Sequence, residues 1–109
     1  MKVLKDILYG VAVESVIGRT DVAVEQLAFD SRKVQSQTLF VAQKGLEFDG
    51  HHFIASAVEQ GANAVICEDM PTNKYEGVTL VQVRDSDEAL AFIASNFYDN
   101  PSEKLILVG

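Results

Sequence analysis

Three stretches of the 109-residue chain carry apolar residues at the three- and four-residue spacing of a helix. The spacing predicts helices at residues 2–9, ended by Gly10, at residues 51–60, ended by Gly61, and from Asp85 or Ser86 to before Pro101. The other apolar runs predict strands at residues 22–29, 39–43, 64–67 and 78–83, and a strand or an extended loop at residues 11–17.

The order of these elements predicts the fold. A strand, a helix and another strand follow one another between residues 39 and 67, an order typical of a parallel, right-handed crossover. The run at residues 39–43 is continuously apolar, as expected of a strand that is buried on both faces. We therefore expect an α/β fold with a small, mixed β-sheet flanked by helices.

Composition limits the possible partners. Hydrophobic residues make up 48% of the chain and charged residues 23%, which is typical of a folded globular domain. No apolar run approaches the roughly 20 residues of a membrane span, and the first residues lack the apolar core of a secretory signal. We therefore expect a cytoplasmic domain without membrane contact. The net charge of −7 argues against a nucleic-acid partner, because phosphate contacts require Lys and Arg.

Few residue patterns indicate catalysis or metal binding. Cys67 is the single cysteine and lies in an apolar run, so we expect a buried thiol and no disulfide. His51 and His52 are adjacent on a predicted helix, where neighbouring side chains diverge, so they do not predict a metal site. The sequence contains no Ser-His-Asp set with convincing context, and we expect neither catalytic nor metal-ligating residues in this chain.

Polar residues follow two of the predicted strands, at the point where each strand ends. Asp30, Ser31 and Arg32 come at the end of the strand at residues 22–29, and Lys44 follows the strand at residues 39–43. Polar groups at adjacent strand ends would together form a ligand-binding surface at the edge of the sheet. A second interpretation makes Asp30 and Arg32 a surface ion pair and Ser31 a turn residue. For each residue taken alone, the second interpretation is favoured.

The order and spacing of these segments resemble the uridine-nucleotide-binding N-terminal domain of the Mur ligases, the ATP-dependent amide ligases of bacterial cell-wall synthesis. The resemblance rests on residues 29–34 (FDSRKV), 38–45 (TLFVAQKG) and 48–51 (FDGH), and extends over nearly the whole chain. Within the family, residues 97–102 (FYDNPS) and 105–109 (LILVG) are similar to the ligases that add the third amino acid, just before their ATP-binding loop.

The resemblance implies that residues 1–103 bind UDP-N-acetylmuramoyl-L-alanyl-D-glutamate and that residues 104–109 begin an ATP-binding central domain. The full-length enzyme would add meso-diaminopimelate or L-lysine to this substrate in peptidoglycan biosynthesis. Its cofactors would be ATP and Mg²⁺, and its partners its own central and C-terminal domains. The chain contains no Gly-rich loop followed by Lys and Ser or Thr, so we expect these residues alone to bind no cofactor and to be inactive.

The resemblance also implies substrate-binding residues. Phe29 and Ser31 would line the nucleotide site, and Leu46, Glu47 and Phe48 would form its other wall, largely through their backbone.

The chemistry of nearby side chains adds to this set. The Ser31 hydroxyl can donate to a carbonyl or phosphate oxygen. Lys44 and Arg32 are local cations that could approach a diphosphate, although we also expect Arg32 to pair with Asp30.

Two alternatives remain open at this point. The segments before residue 97 are similar in the ligase that adds the terminal D-alanyl-D-alanine dipeptide, so the chain could be that enzyme's N-terminal domain. A stand-alone nucleotide-binding module is the other alternative.

Overall fold

The computed structural model describes residues 2–43, 50–71 and 75–98, with only the backbone described at residues 50 and 51. In chain order the elements are β1 (Lys2–Val3), α1 (Leu4–Ile7), β2 (Val13–Ile17), β3 (Ala23–Val24), β4 (Gln26–Ala28), β5 (Thr38–Val41), α2 (Ile54–Gln60), β6 (Ala62–Cys67), β7 (Thr79–Val83) and α3 (Ser86–Phe97). Two short 3-10 helices lie at Ser31–Lys33 and Gly50–Phe53. In the described part of the chain, no helix has the length and apolar character needed to cross a membrane.

The main sheet has five strands in the order β2-β7-β6-β5-β4. Strands β4, β5, β6 and β7 are parallel to their neighbours, whereas β2 runs antiparallel to β7. The predicted α/β fold with a mixed sheet is therefore confirmed, and so is the parallel pairing of the two strands that α2 connects. The uncertain segment at residues 11–17 contains a strand, and this strand forms one edge of the sheet.

The prediction of a single strand at residues 22–29 was wrong. β3 pairs with β1 in a separate two-stranded antiparallel sheet, and β4 pairs with β5 in the main sheet. The two strands separate at Glu25, because the backbone N–H groups of Glu25 and Gln26 both donate to the Gln37 carbonyl, at 2.8 and 3.4 Å. The pairing of β1 also explains why the first helix is shorter than predicted.

The main sheet buries both of its faces. On one face α1 and α3 cover a cluster that includes Leu39, Val41 and Ile66. On the other face α2 covers a cluster that includes Phe40 and Val65. Each such side chain contributes roughly 1.5–3 kcal/mol by leaving water, which makes the two clusters the main source of stability. The continuously apolar composition of β5 follows from this double burial, as the sequence predicts.

Cys67 lies at the end of β6 and is buried, which confirms the prediction of a buried thiol. Burial, and secondarily the charge of Asp69, raises the pKa of the Cys67 thiol to about 11. The group therefore stays protonated near neutral pH and is a poor nucleophile.

Both ends of α3 are held by side chains. The Asp85 carboxylate accepts hydrogen bonds from the N–H groups of Asp87 and Glu88, at 2.9 and 3.2 Å, so the predicted N-cap is confirmed. Near the other end, Asn96 donates through Nδ2 to the carbonyls of Ile7 and Tyr9, at 2.8 and 2.7 Å. These bonds fix α1 against α3.

The C-terminus of α2 packs closely against the loop that precedes β5. Gly61 ends α2 with a φ of 121°, and its carbonyl accepts from the Gln37 N–H at 3.1 Å. A Cβ atom at position 61 would lie 2.9 Å from the Gln35 carbonyl oxygen and from the backbone of Ser36. Only glycine fits this contact, because both the backbone conformation and the available space exclude a side chain.

We expect Gly61→Ala to destabilise the domain strongly. The strained backbone should cost about 1–3 kcal/mol, and the overlap with the loop should cost a further ~1–3 kcal/mol. Urea unfolding of the domain measures the change. Gly77→Ala is a matched control, since Gly77 has a φ of 77° but no atom within 4 Å of an added Cβ. Equal losses in the free energy of unfolding for the two variants would show that the contact with residues 35–37 does not stabilise the domain.

Candidate functional site

The carboxyl ends of four parallel strands meet at one edge of the main sheet. The segment 29–33 follows β4, Gln43 lies just after β5, Glu68 follows β6 and Arg84 follows β7. In open α/β sheets this edge is where ligands usually bind. The segment after β4 therefore lies at the same edge as the end of β5, whereas Lys44, the polar residue predicted to follow the second strand, lies outside the described residues.

The segment after β4 is shaped by an interaction between Asp30 and Arg32. The Asp30 carboxylate accepts from the Arg32 backbone N–H at 3.0 Å, and from its Nε and NH2 groups at 3.1 and 2.8 Å. These bonds cap the 3-10 helix at Ser31–Lys33, and the Lys33 N–H closes the turn on the Asp30 carbonyl at 2.9 Å. The predicted ion pair is confirmed. A direct contact between Arg32 and substrate stays a prediction.

The same interaction changes the acidity of Asp30. The hydrogen bonds from the Arg32 side chain, followed by the one from its backbone N–H, lower the pKa of Asp30 from 3.8 to about 2. The carboxylate therefore stays charged at every physiological pH, and the turn that it caps keeps its shape.

Ser31 is the first residue of this 3-10 helix. It is buried, with 8% of its surface exposed. Its carbonyl accepts from the Gln60 Nε2 at 2.6 Å and from the Val34 N–H at 3.3 Å. No group in the described part of the chain hydrogen-bonds its hydroxyl. Ser31 therefore has a fixed backbone and a hydroxyl that remains available for another partner.

Phe29 lies on a different side of this segment from Ser31. Phe29 is 63% exposed and lines an open cleft of about 550 Å³ beside the edge strand β4. The cleft is lined by Glu25, Gln26, Leu27, Ala28, Phe29, Asp30, Lys33, Phe97 and Tyr98. Ser31 is absent from this lining and contacts α2 instead. The structure thus brings Phe29 together with the end of α3, and Ser31 together with the end of α2.

Three residues near the site were not predicted. Lys33 and Tyr98 line the cleft, and Gln60 contacts the Ser31 carbonyl. No local motif marks them, because their proximity depends on how α2 and α3 pack on the sheet. Lys33 belongs to the segment FDSRKV, on which the family resemblance rests. Its position directly after Arg32 was the one sequence feature that could have indicated a role at the site.

Charge divides the carboxyl edge into two halves. Beyond β6 and β7, the Glu68 carboxylate accepts from the N–H and the hydroxyl of Ser86, both at 2.8 Å. Asp85 already occupies the next N–H groups of α3, and Asp87 accepts from the Gln43 Nε2 at 2.7 Å. An anion would therefore meet these carboxylates at the start of α3, and Arg84, the cation that follows β7, lies 3.8 Å from the Glu88 carboxylate. The β4 half carries Lys33 and Arg32.

Several predicted features lie outside the described residues. Lys44, Leu46, Glu47 and Phe48 are among them, and so is the predicted domain boundary at residues 103–104. Their roles stay predictions.

The described residues do not form a site for ATP or a metal ion. They contain no group of three or more His, Cys, Asp or Glu side chains placed to hold a metal ion. The sequence also lacks the Gly-rich loop with a following Lys that cradles phosphates in the P-loop arrangement. The described residues therefore do not fit ATP chemistry, and we assign none to them.

We expect Arg32→Ala to raise the pKa of Asp30 from about 2 toward 3.8, because the variant removes the main hydrogen-bond donors to the carboxylate. NMR titration of the side-chain carboxyl carbon measures this pKa. The contribution of Asp30 to the free energy of unfolding should be complete above pH 3.8, the pKa of the unfolded chain, and lost as the pH falls toward 2.

The Arg19 and Asp21 pair provides an internal control. Arg19 contacts Asp21 through Nε at 3.0 Å and NH2 at 2.6 Å, and its hydrogen bonds lower the pKa of Asp21. The titration of Asp21 should be unaffected by Arg32→Ala. An unchanged pKa of Asp30 in the variant would contradict the role assigned to Arg32.

Comparison with known sequences identifies the family. A sequence profile described as "Mur ligase family, catalytic domain" matches residues 23–98. The UDP-N-acetylmuramoyl-L-alanyl-D-glutamate–2,6-diaminopimelate ligase of Cytophaga hutchinsonii is 52% identical over 97% of this chain. The enzymes with this name from Bacteroides fragilis and Clostridium acetobutylicum are 45% and 43% identical, again over 97% of the chain. This chain spans 22% of the length of each of these relatives.

Solved structures show the same fold. Crystal structure I of MurF from Acinetobacter baumannii matches 67% of this chain with a TM-score of 0.59 and 29% identity. MurF ligase from Thermotoga maritima, solved in complex with ADP, matches 71% with a TM-score of 0.59 and 34% identity. This chain covers 16% and 17% of those two structures. From the profile and the relatives together, we conclude that the chain belongs to the Mur ligase family.

Proposed function

We propose that this chain is the substrate-anchoring N-terminal domain of an ATP-dependent ligase of the cytoplasm. The ligase adds the third amino acid to UDP-N-acetylmuramoyl-L-alanyl-D-glutamate. The names of three relatives that are 43–52% identical over 97% of the chain support this substrate. The same names support 2,6-diaminopimelate, in place of L-lysine, as the amino acid that is added.

The observation that carries the proposal is the hydrogen bonding of Ser31. Its backbone is held on three sides by the capped turn, by Val34 and by Gln60, while its hydroxyl has no partner in the described part of the chain. A ligand oxygen that accepts from this hydroxyl would gain a hydrogen bond without breaking one within the described part of the domain. We assign this hydroxyl to the UDP end of the substrate.

The charges of the carboxyl edge favour the same half of the sheet for the diphosphate. Lys33 is exposed beside the cleft, whereas carboxylates occupy the N–H groups at the start of α3. The net charge of −7 provides no long-range attraction for an anion, so the binding energy must come from such local groups. Phe29 and Tyr98 add two exposed aromatic rings on which a flat base can pack.

The function of such a domain is to position the substrate. Contacts to the uridine end are remote from the bond that forms, and their binding energy holds the reacting carboxylate of the substrate in place. In the full-length ligase ATP and Mg²⁺ would activate that carboxylate. The groups that hold them would lie outside the described residues, which do not fit them.

The similarity to MurF structures supports a second candidate, the N-terminal domain of the ligase that adds D-alanyl-D-alanine. The two candidates differ in the substrates that the full-length enzyme uses. We expect amide formation from the UDP-muramoyl dipeptide and 2,6-diaminopimelate. Ligation of D-alanyl-D-alanine to the UDP-muramoyl tripeptide, without the first reaction, would establish the second candidate.

We expect Ser31→Ala in the full-length enzyme to raise the KM for the UDP-linked substrate about ten- to a hundredfold. This range corresponds to the ~1.5–3 kcal/mol of a hydrogen bond to a charged group. The thermal midpoint should change little, because the described structure gives the hydroxyl no internal partner. Steady-state kinetics and thermal unfolding measure the two effects.

Ser15→Ala is a matched control for this variant. Ser15 is an exposed serine of β2, at the opposite edge of the sheet from β4, and its removal should leave KM unchanged. A lowered thermal midpoint with an unchanged KM for Ser31→Ala would contradict the proposal and make Ser31 a structural turn residue.

We also expect a polypeptide of these 109 residues to show no ATP hydrolysis and no ligation, because it contains no phosphate-binding loop. Phosphate release from ATP by the purified polypeptide is the measurement. If Ser31→Ala or Gly61→Ala changed the rate of phosphate release, the activity would belong to this domain. That result would contradict the prediction that these residues neither hydrolyse ATP nor ligate. A rate of phosphate release that neither substitution changes would come from a contaminating enzyme, and the prediction of an inactive domain would stand.

A further inference from the structure

The side chain of Gln60 connects the C-terminus of α2 to the turn that carries Ser31. Its Nε2 group donates to the Ser31 carbonyl at 2.6 Å, across 29 residues of sequence. The contact of this amide with the Ser56 carbonyl in the same helix is longer, at 3.5 Å. The shorter hydrogen bond of Gln60 is therefore the one to Ser31, which lies outside α2.

We propose that Gln60 is a positioning residue that acts through Ser31, and this inference rests on the proposed function. The Ser31 carbonyl accepts from only two groups in the described part of the chain, Gln60 and the Val34 N–H. The second bond is longer, at 3.3 Å, and belongs to the 3-10 turn itself. Gln60 is thus the partner from outside the turn that holds the Ser31 peptide, and a fixed peptide fixes the Cα–Cβ bond from which the Ser31 hydroxyl projects.

A purely structural role for Gln60 is less consistent with the other contacts of α2. The end of this helix is fixed by backbone interactions, because Gly61 bonds to Gln37 and packs closely against Gln35 and Ser36. Ile54 and Ala57 bury the face of the helix that lies against the sheet. Gln60 itself is an exposed residue outside the hydrophobic core. Loss of its amide should therefore leave α2 in place and release only the Ser31 carbonyl.

The arrangement also explains how one amide can affect binding without touching the ligand. The productive geometry of a binding group has to be held within about 0.5 Å by surrounding contacts. Ser31 lies in a turn of only three residues, so loss of the Gln60 contact leaves its carbonyl with the long Val34 bond alone in the described part of the chain. Gln60 adds a second bond to this carbonyl from the side of the sheet that α2 covers.

The test uses Gln60→Ala and Gln60→Glu in the full-length enzyme. Both variants remove the donor at pH 8, and Gln60→Glu does so with almost no change in size. We expect each to raise the KM for the UDP-linked substrate about three- to tenfold, while kcat and the thermal midpoint stay nearly unchanged. Glu59→Ala, an exposed change on the same helical turn, is the control and should leave KM unaltered.

A double-mutant cycle separates this inference from the proposed function. If Gln60 acts through Ser31, then Gln60→Ala should have no further effect on KM in an enzyme that already carries Ser31→Ala. Equal effects in both backgrounds would overturn the inference, and so would a lowered thermal midpoint with an unchanged KM. A Ser31→Ala enzyme with normal KM would instead overturn the proposed function, whatever the effect of Gln60→Ala.

Discussion

The close contact between Gly61 and the loop before β5 is the constraint on which the rest of the domain depends. Because Gly61 has no side chain, the end of α2 meets the backbone of Gln35 and Ser36 directly, and Gln37 bonds to its carbonyl. The carbonyl of Gln37 in turn accepts from the residues at which β4 begins. One glycine contact thereby aligns β4, β5 and β6 and brings Gln60 against the turn that follows β4.

Features that depend on local chemistry could be predicted from the sequence. The double burial of β5 follows from its continuous apolar run, and Asp85 caps α3 because a carboxylate before an acidic first turn favours a helix start. The ion pair between Asp30 and Arg32 lies within one turn and needs no tertiary structure. The parallel pairing of β5 and β6 follows from the strand-helix-strand order between residues 39 and 67.

Features that depend on tertiary packing could not be predicted in this way. The break between β3 and β4 requires the Gln37 carbonyl and a partner strand near the N-terminus, neither of which a local pattern contains. Phe29 and Ser31 are two residues apart, a spacing that places both on one face of a strand. The chain has already left the strand at Ala28 and entered a 3-10 turn, so the two residues contact different helices.

The central claim is that the UDP end of the substrate binds the β4 half of the carboxyl edge and not the acidic half beyond β6 and β7. Hydrogen exchange of the full-length enzyme, with and without UDP-N-acetylmuramoyl-L-alanyl-D-glutamate, tests this claim most directly. The amides of residues 32–34, which are bonded within the Asp30 and Ser31 turn, report on the first half, and those of residues 86–88 report on the second. The account predicts that the substrate slows exchange at residues 32–34 and leaves residues 86–88 unchanged. Slower exchange at residues 86–88 alone would contradict it.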